Sequence, residues 1–243
     1  MKRHSYIIKG HSKNSKEEQA FITCVNKYFD FLRSIAGGAW ETEELSKLET
    51  PTSQELKTII ESHNPDYALI IFVGHGATQD NNQLFGINEE EVIKAGQFVL
   101  NVPKQMIILE SCRGNGSKRF PVIDLSDKPP EFERGGIVRA PISRNKAKEL
   151  FFKELSRCDK GLVVCFACSP DESAWGFLFT QVLLNFGMAW HLNPDNHLQV
   201  LKINSLIEFS VLFVTEAVKV NFGEKQTPQK TGEANFPFCI SKF

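Results

Sequence analysis

Tyr67-Ala68-Leu69-Ile70-Ile71-Phe72-Val73 runs unbroken into Gly74-His75-Gly76, and Gln105-Met106-Ile107-Ile108-Leu109 runs likewise into Glu110-Ser111-Cys112-Arg113-Gly114. Continuous hydrophobicity, with no alternation, marks strands buried on both faces, as in a parallel sheet covered by helices. A third such run, Gly161 to Ala167, ends at Cys168-Ser169-Pro170-Asp171-Glu172. Residues 4–9 form a shorter β-rich stretch ending at Lys9-Gly10.

Between these runs the period changes. From Ala20 to Ile35, Phe21, Cys24, Val25, Tyr28, Phe29 and Leu32 share one helical face, and Gly37-Gly38 stops the helix. Pro51 to Leu56 carries a small polar cap residue followed by a carboxylate, the signature of a helix start running to His63. Apolar helical stretches near 175–190 and 204–220 complete a β/α alternation. The expectation is one domain over 1–243, a three-layer α/β fold with a mostly parallel central sheet and helices on both faces. Residues 115–147 hold four prolines and no periodicity, an uncommon length for a structureless connection and usually a functional or disordered one.

The net charge of −1 gives no electrostatic reason to expect nucleic acid or a membrane surface as partner, and no apolar run approaches membrane-spanning length. Met1 to Ile8 is too short in apolar residues for a signal-peptide core. Six scattered cysteines, several inside apolar runs, read as reduced thiols and point to the cytoplasm. Cys165 and Cys168 have redox-motif spacing, but Cys165 lies within a strand and packing accounts for it better. His191 and His197 are too few for a zinc site, so no metal is expected.

In parallel α/β sheets functional groups collect at the carboxyl edge. His75 and Cys112 both follow predicted core strands directly, on glycine-flanked turns that admit a ligand's backbone. If those strands are neighbours, the imidazole can take the thiol proton and the thiolate becomes a nucleophile. Either residue alone is more often a loop histidine or core filler; together, in this order, they point to covalent catalysis.

The two strand–turn units resemble the paired signature of caspases, metacaspases and their prokaryotic relatives. Ala36-Gly37-Gly38-Ala39-Trp40, Ala167-Cys168-Ser169-Pro170-Asp171-Glu172-Ser173-Ala174, and Gln226-Thr227-Pro228-Gln229 with Asn235-Phe236-Pro237-Phe238 are similar to segments of such proteins, in the expected order. The resemblance implies peptide hydrolysis through an acyl-enzyme, with Cys112 as nucleophile, His75 as acid and base, and the backbone N–H groups of Gly76 and Cys112 as oxyanion hole. A dyad suffices, so no third carboxylate is expected. Protein or peptide substrates are implied, with an upstream activating protease as a further partner.

Two departures matter. Glu-Ser, in place of the caspase Gln-Ala, precedes Cys112, and His75 lies 37 residues upstream rather than about 50. Metacaspases carry an acidic residue two before the Cys and prefer Arg or Lys, so Glu110 is assigned to a pocket for a basic residue. Asp171 and Glu172 are either helix N-terminal carboxylates or part of that pocket. Calcium-dependent metacaspases carry an Asp a few residues past the nucleophile, but here no carboxylate precedes Asp124, which argues against calcium, and no cofactor is expected. In caspases the segment matching 115–147 divides a large-subunit part, here 1–115, from a small one, 147–243. Arg119, Arg134, Arg139 and Arg144 are its candidate processing sites in a zymogen. The alternatives are an inactive scaffold on the same fold, or a protease of the same clan with another specificity.

Overall fold

The computed structural model describes residues 1–80, 82–114 and 140–243. The elements are, in order, β1 (Arg3–Lys9), α1 (Ser15–Arg33), β2 (Leu45–Glu49), α2 (Ser53–His63), β3 (Tyr67–Val73), β4 (Gly76–Gln79), β5 (Asn82–Gly86), β6 (Val92–Lys94), β7 (Lys104–Glu110), α3 (Arg144–Arg157), β8 (Gly161–Phe166), α4 (Leu178–Leu192), β9 (Val200–Lys202), α5 (Ile203–Phe222), β10 (Gln229–Thr231) and β11 (Pro237–Ile240). The four apolar runs of the sequence are β1, β3, β7 and β8. They sit adjacent in a six-stranded sheet ordered β10-β8-β7-β3-β1-β2, parallel throughout except for β10.

The first three helices begin where side chains replace the missing backbone acceptors. Asn14 caps α1 by accepting from the N–H groups of Lys16 and Glu17, which places the start of the helix before Ala20 and brings Glu17 and Glu18 into its first turn. Thr52 and Glu55 form a reciprocal capping box on α2. Ser143 accepts from Lys146 N–H at the start of α3.

The sheet's two faces bury two cores. On one, Ile71, Val73, Met106 and Ile108 pack against Phe21, Tyr28, Phe151, Phe179 and Leu183 of α1, α3 and α4, with Leu206 and Ile207 of α5 joining them. On the other, Ile70, Phe72, Ile107 and Leu109 meet Leu56 of α2 and Phe85, Ile93 and Phe98. Helices thus lie on both faces, but α2 shares its side with a small antiparallel sheet, β4-β5-β6. Among the described residues, no helix is long and apolar enough to cross a membrane.

The expected linker is shorter than 115–147, because α3 starts at Arg144. Arg144 donates to the carbonyl oxygens of Arg33 and Trp40 and pairs with Glu41 at 3.1 Å, so it is part of a docked helix rather than of an exposed loop where proteases cut. It is therefore removed from the candidate processing sites. Arg119, Arg134 and Arg139 lie outside the described residues.

Candidate active site

Register sets the site. β3 and β7 are parallel neighbours with Val73 opposite Glu110, so His75 and Cys112, each two residues further on, stand level at the carboxyl edge of the sheet. The strand ends are knitted by Gly10 N–H to Val73 O at 2.9 Å and Gly74 N–H to Glu110 O at 3.2 Å. Gly76 is needed for this closeness: a Cβ there would come within 2.6 Å of Cys112 O and 2.9 Å of Ser111 Oγ.

The turn carrying Cys112 is held from both sides. Gln83 Nε2 donates to Cys112 O at 3.1 Å and Thr78 Oγ1 to Arg113 O at 2.6 Å, both from the β4–β5 hairpin. Arg113 N–H donates to Glu172 O at 3.1 Å, while its guanidinium stacks 4.1 Å over Phe166 and reaches Gln83 Oε1 and Gln229 Oε1. The segment before α4 closes over the thiol. Ala174 N–H lies 3.4 Å from Cys112 Sγ, and Ala174 O lies 3.8 Å from the same sulfur. Burial pushes the thiol up to about 11, against the opposing pull of the Ala174 N–H.

His75 faces α1. Its Nε2 is 3.1 Å from Glu17 Oε2, and Phe21, one turn on, meets the imidazole edge-on at 5.5 Å. Burial holds the imidazolium below its ordinary range, and the Glu17 carboxylate pulls it back. Phe177 completes the enclosure by packing edge-on against Phe21 at 5.5 Å.

The sheet topology and the geometry of the 112 and 75 turns can be compared with solved structures. No family model matches the chain, and no curated protein matches it in sequence. The structure of pro-sf-caspase-1 superposes with a TM-score of 0.51 over 95% of this chain and 91% of that one, at 14% identity. The fold is caspase-like. The Drosophila initiator caspase Dronc is also similar, at 10% identity, a TM-score of 0.47, and coverage of 93% and 77%.

Within the caspase-like sheet the acidic residues take separate positions. Glu110 is 1% exposed and its carboxylate is not open to solvent. Oε2 accepts from Thr180 N–H at 2.7 Å and lies 2.5 Å from Thr180 Oγ1, which itself lies 3.1 Å from Tyr28 Oη. Thr180 is the third residue of α4, whose cap residue Phe177 supplies no side-chain bond, so Glu110 satisfies an orphan N–H and faces the positive end of the helix. Its Oε1 has no hydrogen-bond partner among the described residues, and burial raises its pKa to about 7.

Glu172 fits neither expectation, since α4 starts at Leu178 and the carboxylate is taken up by its own chain. It accepts from Thr227 N–H at 2.6 Å and Ser169 N–H at 3.1 Å, with Thr227 Oγ1 at 3.2 Å and Lys225 at 3.5 Å. Its role is to tie the 169–175 segment to the chain after α5. Asp171 is exposed, has φ +63°, and sits where a Cβ on Gly114 would lie 3.2 Å from its carbonyl. Cys165 and Cys168 are buried, in line with packing roles. Three groups in this arrangement escaped the sequence: Glu17, Thr180 and the backbone of Ala174. Only Glu17 left a signal there, as a carboxylate among polar residues leading into a helix, and that pattern fits any helix entry.

Proposed function

We propose that the chain is a cysteine endopeptidase, cleaving polypeptides after a basic residue through a Cys112 thiolate, with His75 moving the proton. The single observation behind this reading is the register of β3 on β7, which sets an imidazole and a thiol level at one sheet edge of a caspase-like fold. His75 takes the Cys112 proton, the thiolate adds to the scissile carbonyl, and the imidazolium returns the proton to the leaving amine. Gly76 and Cys112 N–H groups serve the oxyanion. Preference for Arg over Lys follows from the several N–H donors a guanidinium presents and from a charge that survives burial, where an ammonium tends to lose its proton. Glu110, with one oxygen unpartnered below the nucleophile, is the carboxylate such a side chain would reach once the 171–177 segment moves aside, and exposed Asp171 stands at the rim.

The chain is made as a zymogen in this reading, and a cut between 115 and 143 switches it on. The support is that Ala174 covers the thiol and burial holds it protonated, which describes a resting state. The alternative of an idle scaffold would show the same covered thiol. One experiment separates them: peptides ending in each residue type before a reporter amine are offered to the protein before and after limited cleavage between 115 and 143. Arg peptides turned over fastest, and only after the cut, is the expected result. Cleavage after Asp, or activity equal before and after the cut, contradicts the specificity or the zymogen respectively; no turnover in either form leaves the scaffold.

A further inference from the structure

We propose that Glu17 is the positioning residue of His75, fixing the imidazole so that Nε2 carries a hydrogen donated to the carboxylate and Nδ1 is the nitrogen that takes the thiol proton. The inference rests on the peptidase reading for its chemistry, but its geometry stands alone. Glu17 and His75 are 58 residues apart, and their side chains meet at 3.1 Å. The carboxylate is not a wandering surface group. Its backbone N–H is bound by the cap residue Asn14 at 3.0 Å, and the same Oε2 that meets His75 accepts Lys13 N–H at 2.9 Å. The first turn of α1 therefore pins the acceptor, and Phe21 restricts ring rotation from the next turn.

A neutral imidazole has one N–H, and an ionised carboxylate can only accept. The bond thus selects the tautomer with hydrogen on Nε2, leaving the Nδ1 lone pair free. When Nδ1 takes the proton from Cys112, a thiolate and an imidazolium form, and the imidazolium's second N–H remains bonded to Glu17. The proton on Nδ1 then passes to the leaving amine. The groups facing His75 are Glu17 from the first turn of α1, Lys13 and His11 from the segment leading into it, and the Cys112 turn after β7. Lys13 and His11 disfavour the imidazolium, so Glu17 is the group that opposes them and burial. The bond to Lys13 N–H is an ordinary helix-entry contact, of the kind Glu55 makes with Thr52; the bond to a ring 58 residues away is not.

The test uses the full chain as wild type, Glu17→Gln, Glu17→Ala and Glu17→Asp, with Cys112→Ala added for nuclear magnetic resonance of His75. Long-range proton–nitrogen spectra should show one tautomer, hydrogen on Nε2, in the Cys112→Ala protein. Glu17→Ala should lose that single tautomer, and Glu17→Gln should lower the His75 pKa, because the carboxylate that favours the imidazolium is gone. In turnover after cleavage of the linker, Glu17→Gln should cut kcat about 10- to 100-fold with KM within a factor of about two, Glu17→Asp should recover part of it, and the acid limb of kcat/KM, set by protonation of His75, should move to lower pH. An unchanged His75 titration in Glu17→Gln, or a retained tautomer in Glu17→Ala, overturns the inference. Absence of turnover in the wild type after linker cleavage would defeat the peptidase reading, while the spectra would still decide the role of Glu17.

Discussion

Glu110 answers two demands with one side chain. As the last residue of β7 it must satisfy the third N–H of α4, and its second oxygen, buried and unpartnered, sits two residues below the nucleophile. With its pKa raised to about 7, the carboxyl is partly protonated at neutral pH in the resting chain. A guanidinium binds only the ionised form, so the proton must leave when an Arg side chain arrives. The sign follows: the advantage of Arg peptides over neutral ones should grow as pH rises from about 6 to 8 and level off above. Ratios of kcat/KM for paired Arg and norleucine peptides across that range check it. Glu110→Gln should flatten the dependence, raise KM for Arg peptides and bring no matching gain on neutral ones. The identity of Glu110 was legible in the sequence; its service to Thr180 was not, because nothing in residues 108–112 says which helix will end above them.

At the level of elements, strands buried on both faces announce themselves and short ones do not. The unbroken apolar runs of β1, β3, β7 and β8 leave no doubt about a covered parallel sheet, and the caps of α2 and the glycines after α1 mark their helices. β4, β5 and β6 carry mixed residues over three to five positions each, and their pairing is imposed by the helical-side neighbours rather than by their own composition. The boundary of α3 was obscured by Pro141, although Ser143 is an ordinary cap. The 169–177 segment shows most clearly what sequence withholds, since the group it sets against Cys112 is a peptide bond. This segment is held by Glu172, and it contains two non-glycine residues in the left-handed region, Asp171 and Phe177. Glu172→Ala should therefore cost about 1.5–3 kcal/mol of stability through lost charge-assisted hydrogen bonds. It should also speed alkylation of Cys112 by iodoacetamide several-fold, followed by mass spectrometry of the labelled peptide. Destabilisation with an unchanged labelling rate would show that the segment does not govern access to the thiol.

Across the whole molecule, the proposed cut would fall between β7 and α3, yet β7 and β8 pair in parallel from Lys104 to Leu109 across it. The two parts would stay joined by the sheet core, so cleavage could free the loops at the carboxyl edge without separating the strands that carry His75 and Cys112. The proposed peptide hydrolysis depends on those two residues acting as one unit. Removing either member of such a unit costs nearly as much as removing both. The deciding measurement is kcat/KM on an Arg peptide, after linker cleavage, for the wild type, Cys112→Ala, His75→Ala and the double variant, with melting temperatures confirming the folds. Loss of about 10³-fold or more in each single variant, with the double little worse than either, is the predicted result. Substantial turnover by Cys112→Ala, or losses in the two single variants that multiply in the double, would contradict it.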